Sequence, residues 1–124
     1  MNAMMNTNPV ASAGVNGSGQ YETIRGRVDM YDTYGGTILV VEIYGIPKEI
    51  EESSGGFLGF HIHSGSSCTG TTEEPFANAN GHYNPGKVAH PRHAGDLPPL
   101  LVNQGNAWMS VYTSRFFPED VIGH

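Results

Sequence analysis

The chain has 124 residues with a formal net charge of -6, 17 glycines, 8 prolines and only 15% charged residues. Six Lys and Arg in total argue against a nucleic-acid backbone as partner, and no apolar run is long enough to cross a bilayer as a helix. The length fits one domain, and the glycine and proline content suits strands joined by long loops better than a helical bundle.

Residues 1–8 are polar and Asn/Met-rich and are expected to form a disordered segment ahead of a single domain over 9–124. With no basic region followed by an apolar one, they do not read as a secretory signal, and the compartment stays open. Val10 to Asn16 places Ala11, Ala13 and Val15 on one parity, which suits a first strand. Thr23 to Tyr31 alternates, with Ile24, Val28 and Met30 opposite Arg25, Arg27 and Asp29. Gly26 falls on the apolar parity and marks a bulge or a close contact. Tyr34-Gly35-Gly36 reads as a hairpin turn, and Thr37 to Tyr44 is the strongest β run. Pro47 to Gly56 reads as a polar loop, and Phe57 to His63 as a further strand.

From Ser64 to Pro99 there is little periodic signal, and an unstructured stretch that long in a small domain is normally functional. Ala107 to Thr113 returns to strand alternation, with Trp108, Ser110 and Tyr112 opposite Met109 and Val111. A last segment starts at Val121. No helix of convincing length is expected, and the fold class is all-β, meander or Greek key.

Five of the six histidines lie between residues 61 and 93. His61 and His63 are two apart on an expected strand, so both side chains point to one face. By itself such a pair is more often a surface or core feature than a ligand pair. His90, His93 and Asp96 offer two imidazoles and a carboxylate, a set suited to zinc, although an Asp here also fits a turn cap. His82 lies between the two groups, and a deprotonated imidazole can ligate one metal through each nitrogen.

Taken in order, Gly59-Phe60-His61-Ile62-His63, Cys68, Gly81-His82-Tyr83-Asn84-Pro85, His90 and His93-Ala94-Gly95-Asp96-Leu97 resemble the copper/zinc superoxide dismutase family. The resemblance implies a flattened Greek-key β-barrel or sandwich with a long metal-binding loop. It implies copper on His61, His63 and His82, and zinc on His82, His90, His93 and Asp96, with His82 bridging. The implied activity is dismutation of superoxide to dioxygen and hydrogen peroxide, with His61, His63 and His82 catalytic. No nucleic-acid or membrane partner is implied; a homodimer, common in the family, is.

Gly123-His124 falls where the family starts a strand whose end carries a fourth copper histidine. That position lies about five residues, or about 16 Å, further on and at an odd offset, so His124 is not expected to replace it. The closing strand or strands, the arginine beside copper and a second cysteine are likewise outside this sequence. Arg115 precedes the arginine position and is not expected to guide the anion. Cys68 stands where the family has half of a disulfide; without a partner it is either a small buried hydrophobe or the remnant of a bridge. The alternative to the enzyme is a non-catalytic zinc-binding module of the same fold, truncated or completed by a strand from a partner.

Overall fold

The computed structural model describes residues 8–124, so all but Asn8 of the expected N-terminal segment lies outside the described residues. Six antiparallel strands form one sheet: β1 (Ala11–Asn16), β2 (Arg25–Asp32), β3 (Thr37–Tyr44), β4 (Phe57–Leu58), β5 (Leu100–Asn103) and β6 (Asn106–Thr113). Their order is β1-β2-β3-β6-β5-β4, flattened and not closed. Setting β6, rather than β4, beside β3 is the Greek-key step.

β3 is central because its alternation is cleanest. Thr37, Leu39, Val41 and Ile43 are buried on one face, whereas Glu42 and Tyr44 are exposed on the other. It pairs with β2 from Asp32↔Thr37 to Arg25↔Tyr44, and with β6 from Thr37↔Thr113 to Ile43↔Ala107. The inner face packs Val28, Leu39, Val41, Ile43, Leu100, Val102 and Ala107 against Leu97, Phe116 and Val121, which arrive from the long loop and the C-terminal segment. On β2, Gly26 is a close contact rather than a bulge: an added Cβ would lie 2.2 Å from the Glu42 carbonyl oxygen and 2.7 Å from the Ile43 side chain.

Four expectations need correction. The expected loop from Pro47 to Gly56 contains helix α1 (Lys48–Ser54), which starts after Pro47 and stops at Gly55 in the left-handed conformation (φ 68°). Its first turn carries Glu49 and Glu51, which favour a helix N-terminus. The Glu51 carboxylate then accepts hydrogen bonds from the backbone N–H groups of Gln104 (3.1 Å) and Gly105 (2.8 Å), tying α1 to the β5–β6 turn. The expected strand from Phe57 to His63 is regular only over Phe57–Leu58; beyond it the chain finds isolated partners instead of a neighbouring strand. Strand β5 was not expected, because four residues beside Pro98-Pro99 give too short a pattern to read. Finally, Val121 does not start the last segment but ends a short helix, α2 (Pro118–Val121). No helix among the described residues is long and apolar enough to cross a membrane.

Candidate metal centre

The connection from β4 to β5 has no ladder of its own, so its backbone groups must pair across segments. Three bonds close a ring. Ile62 N–H donates to Gly95 O (2.9 Å), Gly95 N–H to Tyr83 O (2.9 Å), and Tyr83 N–H to Ile62 O (2.7 Å). Single bridges join His61 to Asp96 and His63 to His82 on either side of it. This ring gathers three short pieces of chain, each bearing candidate ligands. Gly95 is at its tightest point, since an added Cβ would lie 2.5 Å from Ile62 O and 3.0 Å from Tyr83 Cβ.

All six candidate residues of the sequence meet around this ring. The Nδ1 atoms of His82, His90 and His93 lie 2.9, 3.2 and 3.3 Å from carboxylate oxygens of Asp96. His82 Nδ1 and His93 Nδ1 are 3.2 Å apart. Donors of His61, His82, His90 and Asp96 fall within 4.8 Å of one another, a set that contains His61, expected on copper, and not His93, expected on zinc. The His61 ring stacks on that of His82 (centroids 3.9 Å, planes 16° apart), while His63 meets His82 edge-on at 5.2 Å. His63 Nδ1 is 2.8 Å from Asn80 O; as the donor there, it leaves Nε2 free as a ligand atom.

Asp96 is 8% exposed, and its Oδ1 is buried without a hydrogen-bond partner, although His82 Nδ1 is only 2.9 Å away. The contact is short but lacks hydrogen-bond direction, and His82 Nδ1 is instead paired with His93 Nδ1. Four tetrahedral donors about 2.0 Å from a zinc ion stand about 3.3 Å apart. The separations here, 2.9 to 3.3 Å, are of that size, although His82 stands against Oδ1 and His90 and His93 against Oδ2 of the carboxylate. Three imidazoles and one carboxylate are also the donor types zinc takes, so the residues fit the ion.

The local electrostatics favour the metal-ready protonation states. Burial opposes charge on Asp96, but the His93 N–H (2.9 Å) and the neighbouring imidazoles outweigh it, and the carboxyl sits below its ordinary pKa. His61 is also lowered, first by burial and then by His82, which keeps its imidazole neutral to lower pH.

The match to the family model for copper/zinc superoxide dismutase runs over residues 24–124 and takes in every one of these residues. The chain belongs to the copper/zinc superoxide dismutase family. It is 34% identical to the Cu-Zn superoxide dismutase of Pasteurella multocida (strain Pm70), covering 56% of this chain and 45% of that protein. The chain thus spans about half the length of the curated relative it matches. In fold it is similar to the Cu/Zn superoxide dismutase from Brucella abortus, with a TM-score of 0.66 and 27% identity over 90% of this chain and 78% of that one. The family is one of oxidoreductases and implies copper and zinc as metals.

Three residues around this centre have roles that the sequence does not show. Asn80 supplies the carbonyl that orients His63. Arg115 Nη1 donates to Pro91 O (2.8 Å) and His93 O (3.0 Å), backbone atoms of the segment that carries His90 and His93. Gly95 closes the ring described above. Main-chain carbonyls leave no residue-type signature, and the Arg115 contact spans 22 and 24 positions, so no local spacing could reveal these roles. His124 stays outside the centre: its Nδ1 lies 2.7 Å from Ser64 O and its ring 5.0 Å from that of Tyr83. Cys68 is exposed, which corrects the reading of it as a buried hydrophobe.

Proposed function

We propose that this chain holds zinc through His82, His90, His93 and Asp96, holds copper through His61, His63 and His82, and serves the dismutation of superoxide. The observation that carries this reading is the convergence of three Nδ1 atoms on the two oxygens of the Asp96 carboxylate, each within 3.3 Å. When bound, copper supplies the one-electron exchange with superoxide, and zinc supplies a fixed positive charge beside it.

The chain's own part is to position and to manage a proton. His82 turns Nδ1 toward Asp96, which leaves Nε2 on the opposite edge of the ring as the second donor. That Nε2 is the atom at which a proton is taken up and released in each cycle. The His82 ring would be fixed from the Nδ1 side by a zinc ion shared with Asp96, and Asn80 O orients the His63 ring.

A second reading, a zinc-binding module without turnover, is favoured by one feature. His61 and His82 stack nearly parallel at 3.9 Å, and the in-plane lone pairs of parallel rings do not converge well on one ion. Metal analysis of the purified 124-residue chain, reconstituted with both metals, together with a superoxide-consumption assay, separates the two readings. Zinc and copper in equal amounts with turnover support the enzyme. Zinc alone without turnover supports the module, and no zinc at all refutes both. A homodimer is an expectation from family membership, which light scattering reads directly.

A further inference from the structure

We infer that Arg115 is a positioning residue for the zinc-binding segment, a clamp on the carbonyls of Pro91 and His93 that sets His90 and His93 to face Asp96. The inference rests on the zinc reading above and adds to it a residue outside the ligand set.

The base of the clamp is rigid. Arg115 follows the end of β6, and its N–H donates to Thr113 Oγ1 (3.1 Å). The next residue, Phe116, is 3% exposed within the core, and its carbonyl accepts the Thr37 hydroxyl (2.8 Å) from the central strand. The Arg115 backbone is therefore held from both sides by the sheet.

The tip reaches a segment that has little else to hold it. Nη1 donates to Pro91 O and to His93 O, at 2.8 and 3.0 Å. His93 O also accepts the Asp96 N–H (3.0 Å), while the His93 N–H donates to Asp96 Oδ2 (2.9 Å). One carbonyl thus joins the guanidinium, the peptide of one ligand and the backbone of another. His90, His93 and Arg115 are linked across more than twenty positions of chain, so the ligand spacing is set from β6 and not by the loop alone. A hydrogen bond from a charged donor is stronger than a neutral one, and two carbonyls on one guanidinium give direction as well as attraction. This also separates Arg115 from an anion-guiding role, since Nη1 is committed to backbone oxygens.

The test compares wild type, Arg115→Ala and Arg115→Lys in the 124-residue chain. Zinc affinity is read by competition with a chromophoric chelator, and the visible spectrum of cobalt(II) at the same site reports its geometry. Arg115→Ala is expected to weaken zinc by about tenfold or more and to reduce the tetrahedral cobalt bands. Urea unfolding of the metal-free chain should move little. Arg115→Lys, which keeps the charge but not the fork, is expected to fall between the two. Zinc affinity within about twofold of wild type and an unchanged cobalt spectrum would overturn the inference. A lower metal-free stability with unaltered zinc affinity would also overturn it, because the residue would then serve packing only. Should Arg115→Ala not fold, wild-type affinity in Arg115→Lys has the same force. Failure of the wild-type chain to bind zinc would instead strike the underlying zinc reading.

Discussion

Substituting Gly95 by alanine isolates the part played by the backbone ring that assembles the centre. The new Cβ would stand 2.5 Å from Ile62 O, where an ordinary contact needs about 3.5 Å, so the segments must part by about 1 Å. Gly95 makes two of the ring's three bonds, donating to Tyr83 O and accepting from Ile62 N–H. Overpacking of this kind costs about 1–3 kcal/mol, and weakening two backbone bonds adds about 1 kcal/mol each. A total of about 3–5 kcal/mol is expected, divided between two measurements. Where the metal-free loop relaxes, strain is relieved; the zinc-bound form, which needs its donors at fixed spacing, retains it.

Urea unfolding of the metal-free chain should therefore show a loss of about 1–3 kcal/mol. Chelator competition should show zinc bound about tenfold or more weakly, since 1.4 kcal/mol corresponds to a factor of ten. Gly81→Ala is the matched control: Gly81 lies in the same loop beside His82, and an added Cβ there meets nothing within 4 Å. It should behave as wild type in both assays. If Gly95→Ala and Gly81→Ala are indistinguishable, the ring does not assemble the site.

Other substitutions probe separate layers of the structure. His82→Ala should lower zinc and copper content together, whereas His61→Ala should lower copper alone; equal zinc loss in both variants would contradict a shared His82. Leu39, fully buried on the central strand, should cost about 2–5 kcal/mol in urea when cut to alanine, and a loss under 1 kcal/mol would show that this face is loosely packed. On the β1–β2 edge, burial raises the Asp29 pKa, but Ser12 Oγ and Arg27 Nε, each 2.6 Å away, outweigh it and hold the carboxyl low. Its folded pKa lies below the unfolded one, so its stabilisation is complete above the unfolded value of about 3.9 and disappears as pH falls through it and lower. Because Arg27 is 61% exposed, the effect should stay under about 1 kcal/mol. Asp29→Asn should flatten this acid limb in urea titrations across that range, and an unchanged limb would assign the loss to other groups.

Much of this protein was legible in one dimension. Period-two alternation marked β3 at its full extent, Thr37–Tyr44, because its buried and exposed faces differ so sharply in side-chain chemistry. The same pattern marked β6 within one residue. The candidate ligands were legible because histidine and aspartate carry metal-binding chemistry in their side chains. Helix α1 escaped because seven mostly polar residues, capped by Gly55, resemble a loop until their backbone bonds are known. Strand β5 escaped because it is only four residues long.

What the sequence by itself determined was the inventory: which strands alternate, which residues can bind a metal, and which family their order matches. Tertiary structure decided the assembly. The loop has no ladder to satisfy its backbone, so its N–H and C=O groups pair across segments, and those bonds bring His61, His63, His82, His93 and Asp96 together. The carbonyls of Asn80, Pro91 and His93 then orient or anchor the ligands through partners far away in the chain. Every residue carries the same main-chain carbonyl, so no sequence pattern distinguishes the ones that act here; only their position in space does.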